Sequence, residues 1–175
     1  LELQEATGVS LLYESAACGS IPIVRTLEQH FGTEPLEQLS GIFNGTSNYI
    51  LSRMFDGGLD FETALRQAQQ AGFAEEDPAS DIDGLDAKYK LILLTAHSHG
   101  MVLSPDQVPH FGIRHLRQED IRFARERGLK IKLLPVCRRT GPGRLAAYVI
   151  PGLVREADEL FRVEDEFNGV LLQSD

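Results

Sequence analysis

Tryptophan is absent from the sequence, and the two cysteines, Cys18 and Cys137, are too few for the disulfide framework of a small secreted domain. Free cysteines are compatible with a reducing compartment, so we expect a cytoplasmic protein. The longest apolar runs, such as residues 91–94, are far shorter than the roughly 20 residues that a membrane helix needs. No basic segment followed by an apolar one opens the chain. Neither a secretory signal nor a membrane partner is therefore predicted.

Positive charge is also scarce, because 17 lysines and arginines stand against 26 aspartates and glutamates, for a net charge of −9. An acidic surface repels phosphate backbones, so no nucleic-acid partner is expected. The histidines lack metal-ligand spacing: no H-E-x-x-H motif occurs, and His97 and His99 fall on different sides of a predicted helix. No G-x-G-x-x-G motif of a dinucleotide-binding domain follows a predicted strand.

The composition is that of a globular protein: 42% of the 175 residues are hydrophobic and 25% are charged, which is enough to build a core. Hydrophobic periodicity predicts helices alternating with strands early in the chain and consecutive strands late in it. The predicted strands are residues 9–13, 36–43, 130–138, 144–150 and 167–173, and the predicted helices are residues 21–31, 46–54, 60–71, 81–99 and 120–127. The sequence thus predicts a single α+β domain over residues 1–175, with a mixed β-sheet and helices packed on one face.

Helix ends are marked by short polar residues and by glycines. Side-chain oxygens that can accept a hydrogen bond from the first helical turn predict N-caps at Ser20, Thr46 with Ser47, Asp60 and Asp81. Glycines after the last periodic residue predict helix ends at Gly8, Gly32, Gly57, Gly72 and Gly128. Residues 140–143 form a predicted turn between two strands.

The densest polar segment is residues 75–86, where six carboxylates fall within twelve positions at a loop that leads into a helix. One interpretation is local helix stabilisation, because acids favour a helix N-terminus and Asp86 can pair with Lys90 one turn later. A calcium loop is excluded, since placing Gly84 at its sixth position puts Ala79 first and a lysine twelfth. A proton-transfer site is the remaining interpretation, because a carboxylate one turn from an amine can orient it.

A longer pattern of residues runs through this segment. Its members are Ala68, Gly72-Phe73-Ala74, Asp77-Pro78, Asp81-Ile82, Gly84, Asp86 and Lys90. These positions, spread over twenty-three residues, resemble the signature segment of homoserine dehydrogenases. Residues 13–23 and 41–51 resemble two strand-to-helix turns of the family, and Phe167-Asn168-Gly169-Val170 resembles a late strand. The resemblance therefore covers essentially the whole chain.

The resemblance implies reversible, NAD(P)H-dependent reduction of L-aspartate 4-semialdehyde to L-homoserine, a step towards threonine, methionine and isoleucine. Lys90 is then the catalytic acid/base that protonates the nascent alkoxide. Glu75 and Asp86 correspond to acids that bind homoserine, since the substrate carries an ammonium and a hydroxyl group. Asp81 corresponds to a further acid of the active site, with a simple helix N-cap as the alternative.

Three further positions acquire expected roles from the resemblance. The turn Asn44-Gly45-Thr46 is expected to bind the substrate carboxylate through free N–H groups at a helix N-terminus, the alternative being a cap without a ligand. Gly72 corresponds to a glycine that contacts the cofactor, and it can serve as a helix stop as well. Phe73 departs from the tyrosine that is frequent at this place in the family.

Glu14, Ala17, Gly19 and Ile21 map onto a monovalent-cation loop of the family, which uses one acidic residue and several carbonyl oxygens. Oxygen ligands suit a hard cation, so Na⁺ is the expected ion. Cys18, inside this turn, is expected to be a small packing residue.

The family enzyme also has a Rossmann domain, a second catalytic lysine and a late glycine-rich segment, none of which the sequence contains. Because the chain opens with Leu1 rather than methionine, we expect a piece of a longer protein. NADP or NAD would bind mainly to the absent domain, and the isolated chain is expected to be inactive. The alternative is a non-catalytic dimerisation or substrate-binding fragment. An unrelated dehydrogenase of the same architecture leaves the signature pattern unexplained.

A homodimer is expected as well. The apolar predicted strands 131–136, 145–150 and 170–172 lack an obvious complement of late helices, and an uncovered apolar sheet face invites association. The family dimerises through this region.

Overall fold

The computed structural model describes residues 6–9, 13–31 and 36–174, and the structural statements below concern these residues. The helices are α1 (Ser15–Cys18), α2 (Ile23–His30), α3 (Gly45–Asp56), α4 (Phe61–Gln70), α5 (Ala79–Ile82), α6 (Leu85–His99) and α7 (Gln118–Arg125). The strands are β1 (Leu36–Ile42), β2 (Leu129–Gly141), β3 (Arg144–Arg155) and β4 (Gly169–Ser174). Short 3₁₀ helices span Pro105–Gln107 and Glu159–Arg162. In this part of the chain, no helix combines the length and apolarity that crossing a membrane requires.

The four strands form one sheet in the order β3-β2-β1-β4, and all three neighbouring pairs are antiparallel. A single parallel bridge, between His110 and Val149, is added at the β3 edge. The predicted α+β class, with a sheet and packed helices, is confirmed.

The hydrophobic core lies between this sheet and the helices. Leu39, Leu133 and Cys137 are buried in the same apolar cluster as Leu91 and Leu94 of α6. Side chains alternate between the two faces of the sheet along each strand, so the residues next to these core residues point away from the helices. We call this second face of the sheet the outer face.

Four residues lie side by side on the outer face, one from each strand: Tyr148, Val136, Ser40 and Leu171. Val136, Tyr148 and Leu171 remain partly exposed. At one end of the outer face the chain between β3 and β4 covers the sheet, and Ile42 and Leu160 are buried there.

The late strands depart in length from the prediction. β2 and β3 pair continuously from Leu129 with Arg155 to Gly141 with Arg144. β3 therefore continues beyond residue 150, the end of the predicted strand, and includes Pro151. A proline is tolerated there because β3 is an edge strand of the sheet, so its missing N–H need not serve a second neighbour. Phe167 and Asn168, predicted in a strand, instead precede β4.

Several predicted helix signals are confirmed. Asp60 caps α4 by accepting a hydrogen bond from the Thr63 N–H at 2.7 Å. Gly72 and Gly128 have left-handed φ angles of 80° and 65° just after α4 and α7, and Gly8, with a φ of 68°, follows the helical residues Ala6 and Thr7, as the sequence predicted. The predicted strand over residues 9–13 and the stop at Gly32 fall largely or wholly outside the described residues.

Three predicted N-caps are wrong, at Ser20, at Thr46 with Ser47, and at Asp81. α2 begins at Ile23 without a cap from Ser20, and the Glu14 carboxylate accepts from the N–H groups of Val24 and Arg25 at 2.8 and 3.1 Å. α3 is capped not by Thr46 or Ser47 but by Asn44, whose Oδ1 accepts from Ser47 N–H.

Asp81 is the third incorrect cap. It lies inside the short helix α5, and the single predicted helix 81–99 is divided by a turn at Asp83 and Gly84, after which α6 begins at Leu85. The Asp81 carboxylate is therefore free of any capping role at α6 and points to a different partner.

Candidate active site

A pocket of about 450 Å³ opens where β1 leads into α3. Its walls come from the β1–α3 junction, the end of α4, helices α5 and α6, and the segment before β4. The lining residues are Asn44, Gly45, Thr46, Gly72, Phe73, Asp81, Asp86, Lys90 and Glu166. Six residues that the sequence predicted for the site, namely Gly45, Thr46, Gly72, Asp81, Asp86 and Lys90, are thus brought together.

Asn44 organises the acidic side of the pocket. Its Nδ2 group donates to Asp81 Oδ1 at 2.7 Å and to Asp86 Oδ2 at 2.8 Å, while its Oδ1 caps α3 through Ser47. All hydrogen-bonding groups of the amide are therefore used, and the side chain is buried. One asparagine fixes two carboxylates and the start of a helix in a single arrangement.

Lys90 lies on α6 one turn after Asp86, with their Nζ and Oδ2 atoms 2.9 Å apart. Its ammonium group also donates to the carbonyl oxygen of Phe43 at 2.9 Å. An ammonium has three N–H donors, so one remains for a ligand in the pocket. The two side chains are only 20% and 28% exposed, which limits the screening of this pair by water.

The N-terminus of α3 faces the same pocket. Asn44 occupies the N–H of Ser47, whereas the N–H groups of Gly45 and Thr46 donate to no other group in the described part of the chain. Free N–H groups at a helix start attract anions. The Thr46 hydroxyl, in contrast, is engaged, because it donates to the Phe73 carbonyl at 2.6 Å.

Gly72 and Phe73 form another part of the pocket wall. Gly72 ends α4 with a left-handed φ of 80°, and no heavy atom lies within 4 Å of where a Cβ would be, so the space beside it is open to a ligand. Phe73 packs its ring against Tyr49 at a centroid distance of 4.8 Å. Gly72 is thus both a helix stop and a lining residue of the pocket.

Glu75 is the one predicted substrate ligand that the structure does not place in the wall. It is exposed on the loop after Gly72, where its backbone carbonyl accepts from Gln69 Nε2 at 3.1 Å. Its role in homoserine binding stays a prediction.

The predicted cation turn includes helix α1, which packs against α6, so the turn lies next to α6. The Glu14 carboxylate is committed to the start of α2, as described above. The carbonyl oxygens of Glu14 and Ile21 accept N–H groups within the turn, from Ala17 at 3.0 Å and Ile23 at 2.8 Å. Within the described residues, no such donor reaches the carbonyl oxygens of Ala17 and Gly19.

One buried atom near this turn also lacks a partner, namely Oδ1 of Asn168. The Asn168 amide lies close to Gly19, since a Cβ on that glycine would be 3.4 Å from Asn168 Nδ2. Neutral oxygens without donors are compatible with a hard monovalent cation. No cluster of three or more His, Cys, Asp or Glu side chains suited to a metal occurs in the portion of the chain described.

Cys18 supports the pocket without facing it. It is buried, and burial raises the pKa of its thiol to about 12. The charge of Lys90 lowers this pKa and the charge of Asp86 raises it, both by less than burial does. A thiol held protonated in this way is a packing group rather than a nucleophile, as predicted.

Three lining residues, Asn44, Phe73 and Glu166, were not among the predicted site residues. Phe73 was noted only as a departure from the tyrosine frequent in the family. Asn44 was noticed only as part of a turn, and its local context, an Asn between a strand and a helix, indicates a cap but not two carboxylate partners. Glu166 lies in sequence far from every other lining residue, so no local pattern identified it.

Comparison with known proteins agrees with this architecture. The family model for homoserine dehydrogenase matches residues 22–175. The chain is 38% identical over 173 residues to the homoserine dehydrogenase of Lactococcus lactis, covering 99% of this chain and 40% of that protein. The chain therefore spans about 40% of the length of this curated relative.

Solved structures agree as well. A crystal structure of a homoserine dehydrogenase from Thiobacillus denitrificans superposes with a TM-score of 0.92 at 40% identity, covering 98% of this chain and 39% of that one. A putative homoserine dehydrogenase from Archaeoglobus fulgidus superposes with a TM-score of 0.89 at 33% identity, covering 99% of this chain and 52% of that one.

Fold and pocket together define an α+β domain with a polar pocket built around a carboxylate–lysine pair, the architecture of the homoserine dehydrogenase structures compared above. The chain belongs to the homoserine dehydrogenase family. The resemblance found in the signature segment is thus confirmed along nearly the whole chain.

Proposed function

We propose that this chain is the substrate-binding and proton-transferring part of a homoserine dehydrogenase that interconverts L-homoserine and L-aspartate 4-semialdehyde with NAD(P). The observation that carries the proposal is the Lys90–Asp86 pair, anchored by Asn44 and open to a pocket that also contains a helix N-terminus. A complete enzyme then needs a nicotinamide-binding part supplied outside these residues.

The substrate carboxylate fits the start of α3. The N–H groups of Gly45 and Thr46 and the positive end of the helix dipole provide a site for one negative charge. Bound there, the α-carbon of homoserine lies towards α6, and the hydroxyl can reach the ammonium of Lys90. The dipole favours the anionic end of the substrate over its ammonium end, which sets the orientation.

Lys90 handles the proton. During reduction its ammonium donates a proton to the nascent alkoxide oxygen, and during oxidation the neutral amine takes that proton from the hydroxyl. The bonds from Lys90 to Asp86 and to the Phe43 carbonyl fix the direction of the remaining donor. Asp86 has a second role, because a carboxylate beside Lys90 also attracts the substrate ammonium.

Asp81 and Glu75 complete the proposed set of acids. Asp81 shares the Asn44 amide with Asp86, so it lies at the edge of the substrate position. Glu75 is expected to contribute from its loop.

The nicotinamide supplies the hydride when it is bound. Within this chain, Gly72 is the residue suited to contact it, because the open space at its missing Cβ adjoins the pocket. NADP and NAD are both compatible with this contact.

A monovalent cation, Na⁺ in our proposal, fits the turn containing Glu14, Ala17, Gly19 and Ile21 through backbone carbonyl oxygens. The carbonyls of Ala17 and Gly19, which have no donors in the described residues, support this assignment.

We also propose a cytoplasmic homodimer, with this chain as one domain of the protomer that functions in threonine, methionine and isoleucine synthesis. The outer face of the sheet supports the dimer, because three of the four residues in the row across it, Val136, Tyr148 and Leu171, are partly exposed apolar or aromatic side chains, with Ser40 between Val136 and Leu171.

The direct test compares two preparations under the same conditions: the complete enzyme that contains this chain, and the 175-residue chain alone. The complete enzyme should form reduced nicotinamide from L-homoserine, and the isolated chain should not, since its described residues form no dinucleotide-binding fold. D-Homoserine is the control substrate and should react much more slowly. A complete enzyme that leaves L-homoserine unchanged refutes the proposal. Robust turnover by the isolated chain refutes the requirement for a nicotinamide-binding part outside these residues.

A further inference from the structure

Lys132 of β2 is a buried cation outside the pocket. The residue is only 1% exposed, and its ammonium donates to Asn48 Oδ1 at 3.1 Å, to the Val163 carbonyl at 2.6 Å and to Glu164 Oε2 at 3.2 Å. Each of its three N–H donors thus has an acceptor. A buried ammonium is costly unless it is fully hydrogen-bonded, so this geometry is demanding. Burial, with Lys130 nearby, lowers the Lys132 pKa to about 8.

Two of the three acceptors of Lys132, on Val163 and Glu164, belong to one segment, residues 163–167, which we call the anchored segment. The third acceptor, Asn48, lies on helix α3, which holds the same segment. Asn48 Nδ2 donates to the carbonyls of Val163 and Phe167, both at 3.2 Å. The Ser52 hydroxyl donates to Glu164 at 3.0 Å and accepts the Asp165 N–H at 3.0 Å.

The backbone of the anchored segment has an unusual conformation in its middle. Asp165 has a φ of 52°, in the left-handed region that non-glycine residues rarely adopt. Such a conformation persists when surrounding contacts determine it, and the Lys132 and Asn48 hydrogen bonds are contacts of this kind.

The anchored segment ends in the pocket. Glu166 lines the pocket wall, and its carbonyl oxygen is so close to the first residue of α3 that a Cβ on Gly45 would be 2.5 Å from it. The anchored segment therefore packs directly against Gly45, whose N–H is proposed to bind the substrate carboxylate.

We propose that Lys132 is a positioning residue for the pocket: with Asn48 it holds residues 163–167 against α3, so that Glu166 and Gly45 keep the spacing that admits the substrate. The inference rests on the proposed function, since the pocket acquires its substrate from it. Lys132 acts through the segment and touches no reacting atom.

The chain provides a matched control for this role. Lys130, two residues earlier on the same strand, pairs with the same carboxylate, Glu164, yet makes no hydrogen bond to the backbone of the anchored segment. Replacing Lys130 therefore removes a neighbouring charge and an ion pair without releasing the Val163 carbonyl. A purely electrostatic contribution to stability predicts similar results for the two lysines.

The experiment compares Lys132→Met and Lys130→Met in the complete enzyme, by steady-state kinetics and by hydrogen exchange of the anchored segment. Lys132→Met should raise the KM for L-homoserine by about tenfold, because weakening one hydrogen bond to the substrate carboxylate by about 1.4 kcal/mol has this effect. The change in kcat and in the KM for NAD(P) should be much smaller. Exchange in residues 163–167 should accelerate. Lys130→Met should change the KM for L-homoserine by less than about twofold.

A third variant keeps the test valid if Lys132→Met fails to fold. Asn48→Asp retains an oxygen for Lys132 but removes both N–H donors to the Val163 and Phe167 carbonyls, and it should give the same selective rise in KM. Equal effects of Lys132→Met and Lys130→Met, or unchanged exchange in the anchored segment of Asn48→Asp, overturn the inference. A wild-type enzyme that does not turn over L-homoserine refutes the proposed function instead, and hydrogen exchange then decides the positioning role alone.

Discussion

Replacing Asn44 with aspartate isolates the feature that holds the pocket together. The two residues have nearly the same shape, and aspartate is as good a helix N-cap as asparagine, so the cap of α3 is retained. What changes is the Nδ2 group: two N–H donors to Asp81 and Asp86 are exchanged for an oxygen that can only accept.

The expected loss of stability follows from these contacts. A hydrogen bond to a charged group contributes about 1.5–3 kcal/mol, and the lower value applies because the acceptor carboxylates are only partly buried. Two such bonds are worth about 3 kcal/mol. A third carboxylate at this distance adds repulsion of a few kcal/mol at an effective dielectric constant of about 20, which the new group limits by taking up a proton. We expect Asn44→Asp to lower the free energy of unfolding by about 2–4 kcal/mol at pH 7.

The pH dependence provides a second signature of the same substitution. Two neighbouring carboxylates raise the folded-state pKa of the introduced carboxyl above its unfolded value of about 3.9. The folded state then binds more protons, so the variant loses stability as the pH rises from about 4 and regains it on acidification. Urea denaturation of the 175-residue chain at pH 5 and pH 7 measures both effects.

Asp60→Asn is the matched control for this measurement. It makes the reverse exchange at the N-cap of α4, where the side chain accepts from Thr63 N–H, and it should leave the denaturation midpoint nearly unchanged, since asparagine is as good an N-cap as aspartate. If Asn44→Asp is as stable as the unaltered chain at pH 7, Asn44 does not donate to the two carboxylates and the account of the pocket is wrong.

Two further predictions concern the sheet. Val136→Lys, on the outer face, should convert the dimer to a monomer in light scattering at micromolar concentration, whereas the exposed control Arg122→Lys on α7 should not; a dimer that survives Val136→Lys contradicts the proposed interface. The pKa of Lys132 is about 8 in the folded state against 10.5 in the unfolded state, so between these pH values the unfolded state binds one proton more. The free energy of unfolding should therefore rise between pH 8 and pH 10.5, by at most about 1.4 kcal/mol per pH unit. Lys132→Met should abolish that rise in urea denaturation, and an equal slope in both proteins refutes the assignment.

Local sequence patterns predicted the features that depend on a few neighbouring residues. Asp60 as a cap, Gly72 as a helix end and the Asp86–Lys90 spacing all follow from contacts within about one helical turn, and the structure confirms each. The strand order and the length of β3 needed more, because Pro151 is acceptable only once β3 is known to be an edge strand.

Residues whose partners lie far away in the chain escaped prediction. Glu14 caps a helix that starts nine residues later, where a nearby serine was the simpler choice. Lys132 lies in a strand, where a lysine normally faces water, and it is buried because Asn48 of α3 and the segment around Val163 pack against it. Asn44 resembles any capping asparagine until α5 and α6 fold back and present Asp81 and Asp86 to it. Long-range packing, rather than residue type, decides these three roles.

The proton-transfer role of Lys90 is tested most directly by steady-state kinetics of three alanine variants of the complete enzyme. Lys90→Ala should lower kcat by about 10²–10⁴-fold with a smaller effect on the KM for L-homoserine, the range typical of general acid–base catalysis. Asp86→Ala should both lower kcat and raise that KM. Lys88→Ala is the control: Lys88 is on another face of α6 and outside the pocket, and because it is buried its loss should reduce stability rather than kcat. If Lys90→Ala and Lys88→Ala leave kcat equally close to that of the unaltered enzyme, Lys90 does not carry the proton.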